Sequence, residues 1–209
     1  MPNEATRRSL RPRIEAARAE LTDCTAGELA RRGGLALVDG CLTLDLLGTS
    51  YRIDLPTLVA RFSDGSTCPE ELQILFLDYL ARGDGSDVAG DWIGFQELPD
   101  GLFYRQAFQG YSGDRFVRDL DGDIDAFRAA AARLDGTPLA MGDAAFAFSA
   151  LPRVALAVVW WTGDEEFPDT ATVLFDRTAS RYLPTDGLAI VGRMLCRKLA
   201  KLAKTDGSS

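Results

Sequence analysis

Between positions 160 and 169 the chain reads Trp160-Trp161-Thr162-Gly163-Asp164-Glu165-Glu166-Phe167-Pro168-Asp169, which places four carboxylates within six residues beside aromatic side chains. Carboxylates this close stay solvated, pair with arginine or hold a cation, and one beside aromatics can have a pKa raised into the range of acid–base work. A second group lies in Trp92 to Phe108, where Gln96, Glu97 and Arg105 interleave with Trp92, Phe95, Phe103, Tyr104 and Phe108. An apolar wall with a few polar groups is the make-up of a small-ligand site. The same two segments also read as a solvated hairpin turn and as a loop pinned to the core by aromatic anchors. Where Asp164, Glu165, Glu166, Asp169 and Asp176 point discriminates. Convergence on a cleft with Arg153 or Arg105 favours an enzyme; dispersal into water favours a binding or accessory domain.

Other chemistries are closed to this chain. It has no histidine, so no Ser-His-Asp triad, Cys-His dyad or His-ligated metal can be built. Cys24, Cys41, Cys68 and Cys196 are separated by 17, 27 and 128 positions, without the C-x-x-C pairs of zinc or iron–sulfur ligation, and read as reduced, packed thiols. The run Asp119-x-Asp121-Gly122-Asp123-x-Asp125 suggests a calcium loop, but neither register supplies the required Gly and Glu, because Ile124 and Ala130, or Ala126 and Ala132, stand there. It reads as a solvated turn capping the next helix, and no metal site is assigned. Phosphate-loop, dinucleotide and nucleophile-elbow signatures are absent.

The 209 residues are 46% apolar and 26% charged, in keeping with one compact domain. A net charge of −8 argues against nucleic acid as a partner. The opening Met1-Pro2-Asn3-Glu4 lacks a signal-peptide layout, and the longest apolar run, Val154 to Trp161, is eight residues. A cytoplasmic protein without a membrane association is therefore expected. Charge is uneven: residues 1–33 carry seven bases and five acids, residues 177–209 seven bases and two acids, and the segment between is strongly acidic. The expected arrangement is two basic terminal helices against an acidic body.

The elements that must position these groups follow from periodicity. An N-terminal helical arm, 1–33, contains a helix from Ser9 to Asp23 with Pro12 in its first turn, then a second helix opened by the Thr25/Glu28 capping box. Asp39-Gly40 and a turn near Gly48 join three β-prone runs into a meander over 35–55. Pro69 opens a helix with Leu72, Leu75, Phe76, Tyr79 and Leu80 on one stripe. The stretch 91–109 reads as irregular, and Arg115–Leu120 and Ile124–Leu134 as helices. Ala144–Phe148, Val154–Trp161 and Thr172–Phe175 form a second meander over 144–175, and the middle strand, apolar throughout, belongs at the sheet centre. Trp160 and Trp161 then project to opposite faces. The helix Thr185 to Lys204 turns Leu188, Val191, Leu195, Leu199 and Leu202 to the core, and Arg193, Arg197, Lys201 and Lys204 away from it. The expectation is a single α+β domain, 1–209, with antiparallel β-sheet packed by N- and C-terminal helices.

Four segments carry a resemblance: Asp91-Trp92-Ile93-Gly94-Phe95-Gln96-Glu97-Leu98-Pro99; Gly142-Asp143-Ala144-Ala145-Phe146 with Leu151-Pro152-Arg153-Val154; Gly163-Asp164-Glu165-Glu166-Phe167-Pro168; and Leu174-Phe175-Asp176 with Tyr182-Leu183-Pro184-Thr185-Asp186. Together they resemble the domain-of-unknown-function family 3786 of anaerobic bacteria and archaea, most specifically over 91–192. The resemblance brings no established activity. It implies an accessory role in redox or corrinoid-linked anaerobic metabolism, with an iron–sulfur or corrinoid protein as a partner that supplies any cluster. The functional expectation is a non-catalytic domain that binds a small molecule, a cofactor of unassigned identity or a partner protein. Its candidate ligand-binding residues are Trp92, Phe95, Glu97, Tyr104, Arg105, Trp160, Trp161, Asp164, Glu165, Glu166 and Asp176. The alternative is a carboxylate-based, divalent-cation-dependent enzyme using the turn 164–169. For that turn, Arg153 or Arg177 is expected to hold one carboxylate.

Overall fold

The computed structural model describes residues 4–204, with side chains from residue 10. Helices α1 (Glu4–Glu20) and α2 (Ala26–Gly33) come first. Pro12 lies inside α1 rather than in its first turn, since the helix begins earlier than the apolar spacing indicates. Thr25 and Glu28 exchange the two hydrogen bonds of a capping box, and Gly34 ends α2 in the left-handed conformation.

Four antiparallel strands follow in order: β1 (Ala36–Val38), β2 (Cys41–Leu46), β3 (Thr49–Asp54) and β4 (Val59–Phe62). Asp39-Gly40 and Leu47-Gly48 both have positive φ at both central positions, as two-residue hairpin turns need. β4 adds a strand beyond the expected meander; four residues, three of them half-buried around the buried Ala60, carry too little alternation to be read. Helix α3 (Glu70–Arg82) packs against α1 and buries the predicted Leu75, Phe76, Tyr79 and Leu80.

The stretch expected to be irregular is ordered. It holds edge strand β5 (Trp92–Gly94), a 3-10 turn at Phe95–Glu97 and helix α4 (Gly101–Tyr111). Its helical period is masked because Leu102, Phe103 and Tyr104 are all exposed, with Phe108 as the buried anchor. Helices α5 (Gly113–Asp119) and α6 (Ile124–Arg133) follow, and Asp123 caps α6 by accepting from the Ala126 N–H at 2.8 Å. The chain continues through β6 (Thr137–Pro138), β7 (Ala144–Leu151), β8 (Val154–Trp161) and β9 (Thr170–Asp176), and ends in α7 (Thr185–Lys204).

The second sheet has the order β5-β9-β8-β7-β6, all antiparallel, so β8 is paired on both sides as its composition requires. Residues Val154 to Trp160 are buried, whereas Trp161 is 43% exposed. The tryptophans do project to opposite faces. Trp160 packs with Phe116 of α5 and Phe127 of α6, and Phe175 of β9 with Phe95 and Phe108. Leu188, Val191, Leu195 and Leu199 of α7 are fully buried.

Tyr79 joins the two halves. Its hydroxyl donates to the Gly33 carbonyl at 2.6 Å and accepts from the Arg153 N–H at 3.0 Å, and its ring stacks on Tyr182. Helices and two antiparallel sheets within one unit make this an α+β fold. No helix among the described residues is long and apolar enough to cross a membrane.

Candidate functional site

Gly163 lets the chain reverse after β8, and the carboxylates of the acidic turn divide between the turn's own backbone and water. Asp164 accepts from the N–H groups of Glu166 (2.8 Å) and Phe167 (2.9 Å), which hold its carboxyl below the usual range. Asp169 accepts from the Gly163 N–H at 2.6 Å. Glu165 and Glu166 are exposed, as are Trp161 and Phe167. The expected arginine does not arrive: Arg153 pairs with Asp87, and Arg177 with Asp91 at 2.6 Å. Both stand at the opposite end of the β8–β9 hairpin from the turn, where the loop after α3 supplies their carboxylates.

Asp176 is fully buried at the end of β9. Burial alone would raise its pKa. The Thr178 hydroxyl and N–H, together with the N–H groups of Ala89 and Gly90, outweigh that and hold it low. With four donors converging on it, this carboxylate ties the 84–91 loop to the sheet and caps the following 3-10 turn.

The aromatic region separates in the same way. Trp92 is half-buried on β5, opposite Asp176 in register. Phe95 stacks on Phe108 at 4.1 Å between ring centroids, and Glu97 accepts from the Gly94 N–H at 2.7 Å. Arg105 is exposed on α4. Among the candidates, Phe95 and Tyr104 come together in a cleft of about 1300 Å³. Trp92, Glu97, Arg105, Trp160, Trp161, Asp164, Glu165, Glu166 and Asp176 do not line it.

One wall of this cleft is α4 and α5, the other α7 with the segment before it. Tyr104, Ala107 and Tyr111 line the first together with Arg115 and Arg118. Ala189, Ile190, Arg193, Arg197, Lys201 and Lys204 line the second. With Arg82, the lining carries seven cationic side chains against Asp100, Asp119 and Asp186. Arg115 holds Asp119 at 2.9 Å, and Asp186 is held by Arg13 at 2.9 Å. Arg193 and Arg197 have no carboxylate partner among the described residues.

The cationic lining is what the sequence reading missed. The polar face of α7 was legible, but α4 and α5 lie beside it, and the arginines of α5 share the cleft. The signal was the basic face of a terminal helix in an acidic chain.

The thiols take no part. Cys68 and Cys196 are buried and pushed up to about 11 and about 12 by desolvation, and the four cysteines are unpaired. Among the described residues, no group of three or more Cys, Asp or Glu could hold a metal ion.

Fold and cleft together define an α+β domain with a cationic, aromatic-walled groove between its last helix and a helical pair. The chain belongs to the family described as Domain of unknown function (DUF3786), whose model matches residues 25–198. No curated protein and no solved structure matches it.

Proposed function

We propose that this protein is a non-catalytic binding module that holds an anionic organic ligand in the cleft between α4–α5 and α7. One observation carries the reading. Seven cations gather around a single cleft in a chain whose net charge is −8. Like charges so close repel, and leaving Arg193 and Arg197 without carboxylates costs stability that a bound anion returns. Phe95, Tyr104, Tyr111 and Ile190 add the apolar contact that small-ligand sites use.

The carboxylate-enzyme alternative has less support, because the acidic turn spends its carboxylates on its own backbone and on water, away from the cleft. The test is thermal denaturation with a panel of anions carrying one to four charges. Multiply charged organic anions raise the Tm of the wild type and leave an Arg193→Gln/Arg197→Gln variant unchanged. A panel without effect, or an effect that survives in the double variant, defeats the reading.

A further inference from the structure

We propose that the ligand of this cleft is a heteroaromatic polyphosphate of about nucleoside-diphosphate size, with its ring at one end of the groove and its phosphates at the other. The inference rests on the anion-binding reading above and names the class of anion.

The direction of the groove is fixed at two points. Thr185 Oγ1 donates to the Pro99 carbonyl at 2.5 Å, which pins the start of α7 beside the start of α4. Gly192, two turns further along α7, lies against the ring of Phe108, two turns along α4. The two helices therefore run in the same sense, and the lining changes character along them. Near their starts are Phe95, Pro99, Tyr104, Leu183 and Pro184, with Arg82 donating to the Ser180 carbonyl, Asp186 held by Arg13 and the carboxylate of Asp100 at the rim. Beyond Arg193 are Arg115, Arg118, Arg197, Lys201 and Lys204, with Asp119 already engaged by Arg115.

Each end selects a part of the ligand. With Arg115 engaged by Asp119, the remaining cations Arg118, Arg193, Arg197 and Lys204 call for several negative charges, more than one carboxylate supplies. Arg193 to Lys204 extends about 16 Å along the helix, so those charges are met in series. Guanidinium forks match phosphate oxygens two at a time. At the other end, the exposed Tyr104 ring and the proline faces suit a flat ring, and the Asp100 carboxylate at the rim accepts from ring N–H or amino groups. The volume, about 1300 Å³, exceeds the usual range for a drug-sized ligand of roughly 300–1,000 Å³ and admits both parts at once. No glycine-rich phosphate loop is present in the sequence, so the phosphates are held by side chains.

Isothermal titration calorimetry of the full chain at physiological salt, with ADP, inorganic pyrophosphate, adenosine and citrate, tests this. ADP binds at least about tenfold more tightly than pyrophosphate or adenosine. Arg193→Gln/Arg197→Gln weakens both ADP and pyrophosphate at least about tenfold, with the Tm of the free protein retained or raised as the repulsion is relieved. Tyr104→Ala weakens ADP and leaves pyrophosphate unchanged. Pyrophosphate or citrate binding as tightly as ADP overturns this inference and leaves the anion-binding reading standing. Absence of binding by every anion overturns both. Sedimentation with phosphatidylserine vesicles that ADP does not reverse makes the exposed Leu102–Phe103 face of α4 a lipid-docking surface, and that too overturns it.

Discussion

Asp176 shows how a single carboxylate can look functional in a sequence and be structural in the fold. It is buried, ionised and surrounded by four hydrogen-bond donors from the 84–91 loop and the turn after β9. Asp176→Asn sets an amide N–H₂ against those donors and is expected to cost about 3 kcal/mol in urea denaturation. The folded-state pKa is held below the ordinary 3.8, so its stabilisation is complete above that value. It is lost as the pH falls through the folded pKa, and the acid limb of the wild-type stability curve should flatten in the variant. Glu165 and Glu166 behave oppositely. They are exposed, and Glu165→Gln/Glu166→Gln leaves the Tm unchanged in the same measurement. A large loss would place the turn in the structural framework. From sequence, Asp176 and Glu165 are indistinguishable, because two of the four donors, the N–H groups of Ala89 and Gly90, lie almost ninety residues upstream of Asp176.

Among the elements, α5 sits against β9 so closely that Gly113 has no room for a side chain. A methyl there would run into the carbonyl oxygen of Ala171, which is backbone and cannot swing aside. Gly113→Ala is therefore expected to destabilise by about 1–3 kcal/mol, and because α5 forms part of the cleft wall, to weaken anion binding together with stability. Long elements with a clean period were legible. The apolar run of β8 and the 20-residue stripe of α7 fixed the centre of the second sheet and the helix that packs on it. Short edge strands were not: β5 and β6 have three and two residues and exist because β9 and β7 offer them open hydrogen-bonding edges. The case of α4 is different. A helix anchored by Phe108 and exposed at six consecutive positions, 102–107, has no apolar stripe to read. It is held by its partners, and one side of it remains available to the groove.

Across the whole molecule, the charge asymmetry of the sequence becomes a spatial one. The basic face of the last helix, together with arginines from α5, makes a cationic groove on a protein that is otherwise acidic. Such a field raises the local concentration of small anions and falls with ionic strength, so affinity for a multiply charged ligand should drop markedly between 0.05 and about 0.5 M salt. The individual arginines could be found in the sequence, but their convergence could not, because it depends on α4–α5 and α7 lying side by side across 65 intervening residues. The most direct measurement is a titration of the isotopically labelled protein with ADP, following the arginine Nε–Hε and tryptophan indole resonances by NMR. The account predicts shifts at Arg118, Arg193 and Arg197, with the indoles of Trp92 and Trp161 unmoved. Shifts centred on Trp161 and the acidic turn, or none at the cleft arginines at millimolar ADP, would contradict it.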